Sequence, residues 1–159
     1  RLSSSISRNG LSMSIVLTQR IEWDMGHRLG DGYLSKCRHA HGHRYVAELS
    51  FVAPTLDEFG MVLDFGEIKR LAKGWIDEHI DHAFLVYEKD SPLLSFLRSE
   101  NNRHFVVNFN TTVENITSWL GPQLQTVIDT DETAKSRKVR LTRVRVYETP
   151  NGWAEWVAT

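Results

Sequence analysis

Two stretches of the chain alternate with a period of two. From Ile15 to His27 the odd positions are Ile15, Leu17, Gln19, Ile21, Trp23, Met25 and His27, set against Val16, Thr18, Arg20, Glu22 and Asp24. One face is mostly apolar and the other mostly polar, which predicts a strand that ends in a histidine. From His41 to Ala53 the odd positions are His41, His43, Tyr45, Ala47, Leu49, Phe51 and Ala53, a second strand that begins with histidines.

The pattern then changes period. Asp64 followed by Glu67 marks a helix start as a variant capping box, and Ile68, Leu71, Ala72, Trp75 and Ile76 give that helix one apolar face. Ser91 and Pro92 open a shorter helix through about Arg98, with proline where its missing N–H costs nothing. His104 to Asn108 reads as a short strand. Thr111 with Glu114 forms another capping box, ahead of Val113, Ile116, Trp119, Leu120, Leu124, Val127 and Ile128 on one helical side, with Pro122 expected to kink or restart the helix. Val139 to Glu148 and Trp153 to Val157 read as closing strands joined by the turn "TPNG". This order predicts an α+β fold with a largely antiparallel sheet.

Composition adds limits. A chain of 159 residues suits one domain, and 41% hydrophobic with 25% charged residues is enough to build an ordinary core. The formal net charge of −1 provides no basic field for nucleic acid. There is no apolar run of membrane-spanning length, and the single cysteine cannot form an internal disulfide. A reducing, cytoplasmic setting is the expectation. Residues 1–12, "RLSSSISRNGLS", are read as an extension outside the fold, with a natural start at Met13 and a single domain over 13–159.

The candidate chemistry lies in "CRHAHGH", Cys37 to His43. Residues two apart on a strand share a face, so His41 and His43 can offer two imidazoles to one ion, and His27 supplies a third if the two strands pair at those ends. Three neutral nitrogens suit zinc and leave a coordination position open. His39 shares the parity but lies in the loop and is taken as a neighbour; His79 and His104 are taken as ordinary histidines. Cys37 has three readings: a fourth ligand that closes the site, a buried inert thiol, or a thiolate available as base or nucleophile. Spacing does not choose among them.

Taken in order, His27, "CRHAHGHRY" from Cys37, "GMVLDF" from Gly60, "IDHAFL" from Ile80, "NTTVEN" from Asn110 and "VYE" ending at Glu148 resemble the blocks of the 6-pyruvoyltetrahydropterin and 6-carboxytetrahydropterin synthase family. The resemblance runs from about Met13 to the end. Three residues between the cysteine and H-G-H resemble the carboxy branch, which serves queuosine and deazapurine biosynthesis, more than the pyruvoyl branch. It implies a catalytic zinc on His27, His41 and His43; Cys37 as general acid/base; Asp81 and His82 as its proton-moving partners; and Glu148 holding the pterin with Thr111, Thr112 and Glu114. It implies a four-stranded antiparallel sheet with two main helices on one face, closed by trimers into a barrel and stacked as a hexamer, with active sites between subunits. The implied activity is that of a lyase converting 7,8-dihydroneopterin triphosphate to 6-carboxy-5,6,7,8-tetrahydropterin with loss of triphosphate and acetaldehyde; the alternative is the pyruvoyl product.

Bland roles compete for several of these residues. Asp81 can end a helix, and Thr111 and Glu114 have a structural job in the capping box, which does not exclude ligand contact. Glu148 shares parity with Val144 and Val146, so it is expected to point inward and to need a partner. The cluster Lys135, Arg137, Lys138, Arg140, Arg143 and Arg145 is read as a solvated face, with a share in attracting triphosphate as the alternative. Two other function classes remain: a three-histidine zinc hydrolase that does not need Cys37, and a non-catalytic pterin or metal binder.

Overall fold

The computed structural model of the chain describes residues 15–30 and 32–159; the expected extension over residues 1–12 and the start at Met13 lie outside them. Leu17–His27 (β1) and His41–Val52 (β2) form the long antiparallel pair that the alternation predicts, running from Leu17 opposite Phe51 to His27 opposite His41. Ile21, Trp23, Met25, Tyr45, Ala47, Leu49 and Phe51 are buried on one face, as a period of two requires.

On the far side of β1, Ala83–Tyr87 (β3) runs parallel to it, and His104–Val107 (β4) runs parallel to β3. Arg140–Thr149 (β5) pairs antiparallel with β2, and Gly152–Val157 (β6) with β5. The sheet is therefore six-stranded and mixed, in the order β4-β3-β1-β2-β5-β6, and not the four-stranded antiparallel sheet expected. The reason lies in β3. Leu85 faces the main core, while Phe84 and Val86 pack against Leu93, Leu94 and Leu97 on the other side. A strand covered on both faces has no polar positions to alternate with.

The helical stretch after Asp64 is one rod in three parts: Phe65–Ile68 (α1), a π-helical turn over Lys69–Lys73, and Gly74–His79 (α2). Asp64 caps it by accepting the Gly66 N–H at 2.6 Å. Ile68, Leu71, Ala72 and Ile76 are buried in the main core. Ser91–Ser99 (α3) is capped by Asp90, which precedes the serine expected to open it. α3 packs on the face of β3 away from that core, so the helices do not all share one side. Val113–Ile128 (α4) is a single helix that contains Pro122 without interruption. A short helix that the periodicity did not predict, Glu132–Ser136 (α5), precedes β5 and is capped by Asp131.

Among the described residues, no helix is long and apolar enough to cross a membrane.

Candidate functional site

His27 lies directly opposite His41 in the β1–β2 register, and His43 is two residues further along the same face. The ring centroids of His27, His41 and His43 are 4.6 to 5.2 Å apart. One ligand atom from each lies within 4.8 Å of the other two, and this is the one group of metal donors found among the described residues. Neither Cys37 nor His39 belongs to it.

Hydrogen bonds set how these rings present themselves. The Thr111 carbonyl accepts from His27 Nδ1 at 2.8 Å, and the His39 carbonyl accepts from His41 Nδ1 at 2.6 Å. A carbonyl only accepts, so each Nδ1 carries the proton and each Nε2 keeps its lone pair. His43 Nε2 is buried without a hydrogen-bond partner. Burial holds His27 down to about pKa 4, against the pull of the Thr111 carbonyl and with help from His41 and His43. Burial also lowers His43, with Glu148 opposing. The result suits a cation: two rings biased toward the neutral form, and a buried ring nitrogen with no hydrogen-bond partner.

Thr111 carries a correction. Thr112, not Thr111, caps α4, its hydroxyl accepting the Asn115 N–H at 3.3 Å. Thr111 is fully buried and donates to the Arg28 carbonyl at 3.0 Å, while its own carbonyl holds His27. Both its polar groups brace β1 beside the imidazoles, which leaves the cap to its neighbour.

Glu148 points inward as its parity predicts. Its Oε1 is 3.4 Å from His27 Nε2 and 3.9 Å from His43 Nε2. A register irregularity in the β5–β6 pairing falls here, between Tyr147 and Thr149. Tyr45, not singled out from the sequence, donates to Glu148 at 3.4 Å and stacks on Trp23. Burial, and after it the Glu148 carboxylate, raise the Tyr45 hydroxyl above the usual phenol range, so it stays a donor. Its signal was available, since Tyr45 continues the odd parity of His41 and His43.

Cys37 sits on a short 3-10 turn, Lys36–Arg38, whose N-cap Ser35 accepts the Cys37 N–H at 3.1 Å. It is partly exposed and shares a cleft of about 300 Å³ with His27, Tyr33, Asn110, Thr112, Glu114 and Glu148.

Asp81 and His82 lie elsewhere. They occupy the turn between α2 and β3, with His82 in the left-handed region at φ 55°. Asp81 accepts the Asp24 N–H at 2.9 Å, and His82 Nδ1 approaches it at 3.0 Å. Burial pushes Asp81 up, but the bonds from Asp24 and His82 outweigh it and keep its carboxyl below the usual range. The His82 ring is 74% exposed and opens on another cleft, with Asp24, Gly26, Gly42, Arg44 and Phe84; of the three imidazoles only His43 borders it. The cleft with Cys37 and the cleft with His82 are therefore distinct within one chain.

Most of the remaining candidates have structural partners. His79 donates to the Trp75 carbonyl and stacks on Trp75, and His104 is bonded to the Asn102 carbonyl. In the basic cluster, Arg137 holds the Met61 and Val62 carbonyls, Arg140 pairs with Asp129, and Arg143 and Arg145 pair with Glu155.

The profile of the 6-pyruvoyl tetrahydropterin synthase family matches residues 16–158. The chain is 39% identical over 142 residues to the 6-carboxy-5,6,7,8-tetrahydropterin synthase of Rickettsia bellii, covering 89% of this chain and 99% of the relative. It is 29% identical over 147 residues to the enzyme of the same name from Haemophilus influenzae, covering 88% and 96%. Its fold is similar to that of the Caenorhabditis elegans 6-pyruvoyl tetrahydropterin synthase, with a TM-score of 0.65 at 20% identity over 92% of this chain and 97% of that one.

Proposed function

Because the chain belongs to the 6-pyruvoyl tetrahydropterin synthase family, we propose that it is a 6-carboxy-5,6,7,8-tetrahydropterin synthase acting in the cytoplasm, with residues 13–159 as its single domain. The reaction is the conversion of 7,8-dihydroneopterin triphosphate with loss of triphosphate and acetaldehyde, supplying deazapurine biosynthesis such as that of queuosine. The observation that carries this reading is the convergence of three imidazoles beside a cleft bounded by Cys37 and Glu148. The carboxy name of the sequence relatives supports it over the pyruvoyl alternative.

His27, His41 and His43 would hold zinc, which supplies Lewis acidity to the hydroxyls of the substrate side chain. Every other step falls to the chain itself. Glu148 accepts the guanidine-like N–H groups of the pterin, and Tyr45 holds that carboxylate in place from below. Thr112 and Glu114 border the same cleft from the start of α4, while Thr111 acts through His27. Cys37 moves the proton at the side-chain carbons, a role its partial exposure allows and burial would forbid.

Asp81 orients His82 by accepting from Nδ1, which leaves Nε2 to exchange a proton. That pair opens away from Cys37 in its own chain. A homo-oligomer, trimer or hexamer, with sites between subunits would bring the pair from one copy to the thiol of another.

The test is direct. Zinc-loaded protein is incubated with dihydroneopterin triphosphate and the products are identified by mass. The carboxy product with acetaldehyde is expected; a pyruvoyl product of unchanged carbon count, or intact substrate, would overturn the assignment.

A further inference from the structure

The Glu148 end of the imidazole cluster is only one of its two ends. Glu148 approaches His27 and His43, whereas His41 is tied through its Nδ1 to the His39 carbonyl on the other side. Beyond His39 a second cleft opens, of about 230 Å³, walled by Arg28, Tyr33, Arg38, His39 and Ala40. Tyr33 lines this cleft and also the cleft that holds Cys37 and Glu148, so the two adjoin.

Each is at or below the lower end of the range of roughly 300–1,000 Å³ usual for small-molecule sites. A ligand with a ring, a side chain and a polyphosphate can extend from one into the other. Its direction follows from the residues. Of these two clefts, the one with Cys37 carries the acids Glu148 and Glu114, and the other carries Arg28 and Arg38.

The two arginines there are not alike. Arg28 is clamped bidentately by Asp90 at 2.5 and 2.6 Å, which fixes its guanidinium along the cleft wall. The side chain of Arg38 makes no ion pair or hydrogen bond among the described residues. It follows Cys37 on the same 3-10 turn. By contrast, Arg137, Arg140, Arg143 and Arg145 of the more conspicuous basic cluster are engaged with carbonyls and carboxylates.

We infer that the cleft walled by Arg28, Arg38 and His39 receives the polyphosphate tail of the substrate, with Arg38 as its principal contact. This rests on the pterin synthase reading above. A guanidinium offers paired N–H donors in a plane that matches phosphate oxygens, and lysine offers only a point charge.

The experiment compares two ligands on zinc-loaded protein that carries Cys37→Ala to prevent turnover. Affinities for dihydroneopterin and for dihydroneopterin triphosphate are measured by pterin fluorescence, with metal content checked in parallel. Adding Arg38→Ala should weaken the triphosphate by about tenfold or more, the loss of a charge-assisted bond, and leave dihydroneopterin unchanged. Arg38→Lys should recover part of the difference. An unchanged ratio of the two affinities in Arg38→Ala would overturn the subsite alone. Failure of the parent to bind either pterin would overturn the functional reading and the subsite with it.

Discussion

At the scale of single residues the account turns on Cys37 and on the state of the imidazoles. Cys37→Ala should keep zinc and pterin binding and lower turnover by about 10²–10⁴-fold, the usual weight of a general acid or base. A hydrolase working through metal-bound hydroxide would keep its rate, so a steady-state assay separates the two. His27 gives a pH prediction for the metal-free protein. Unfolded, it takes up a proton near 6.5; folded and buried, only near 4. Between those values the unfolded state binds more protons, so stability falls as the pH falls, by up to about 3 kcal/mol for this one group. Lowered His43 adds in the same direction. Urea unfolding from pH 7 to pH 4 should show the decline, and a flat profile would contradict it. These residues were legible because strand parity is a strict rule: His27, His41 and His43 had to share a face once β1 and β2 paired. Thr111 was misread because two adjacent threonines offer the same capping chemistry, and only the contact with Arg28 and His27 decides between them.

At the scale of elements, what the sequence hid is what has no polar face or no turn of its own. β1, β2, β5 and β6 alternate and could be read. β3 is covered by the core on one side and α3 on the other, so its run "AFLVY" carries no period. The continuity of α4 through Pro122 was hidden too, since local chemistry argues for a break. α4 lies so close to β6 that a Cβ on Gly121 would stand 2.4 Å from the Trp156 ring. Gly121→Ala should therefore destabilise by roughly 1–3 kcal/mol, through overpacking that outweighs the helical preference of alanine. Thermal or urea unfolding checks this. A stabilised variant would mean that α4 and β6 are further apart.

At the scale of the whole molecule, one chain separates what the proposed chemistry needs together. The thiol, the imidazoles and Glu148 are gathered in one region, and the Asp81–His82 pair faces another. Parity and capping carry no information about a second copy, so this division could not be read from the pattern of the chain. Mixing inactive Cys37→Ala with inactive His82→Ala under conditions of subunit exchange should restore activity. About a quarter of the sites would then carry both intact halves, if each site draws on two neighbouring copies. No recovery, in a mixture shown to have exchanged, would place both groups in one chain.

The central claim is that three imidazoles bind one ion and leave it open beside a thiol that is not a ligand. X-ray absorption at the zinc edge of the loaded protein tests this most directly. Three imidazole nitrogens with light oxygen donors and no sulfur shell are expected; a sulfur in the first shell, or fewer than three imidazoles, would contradict it.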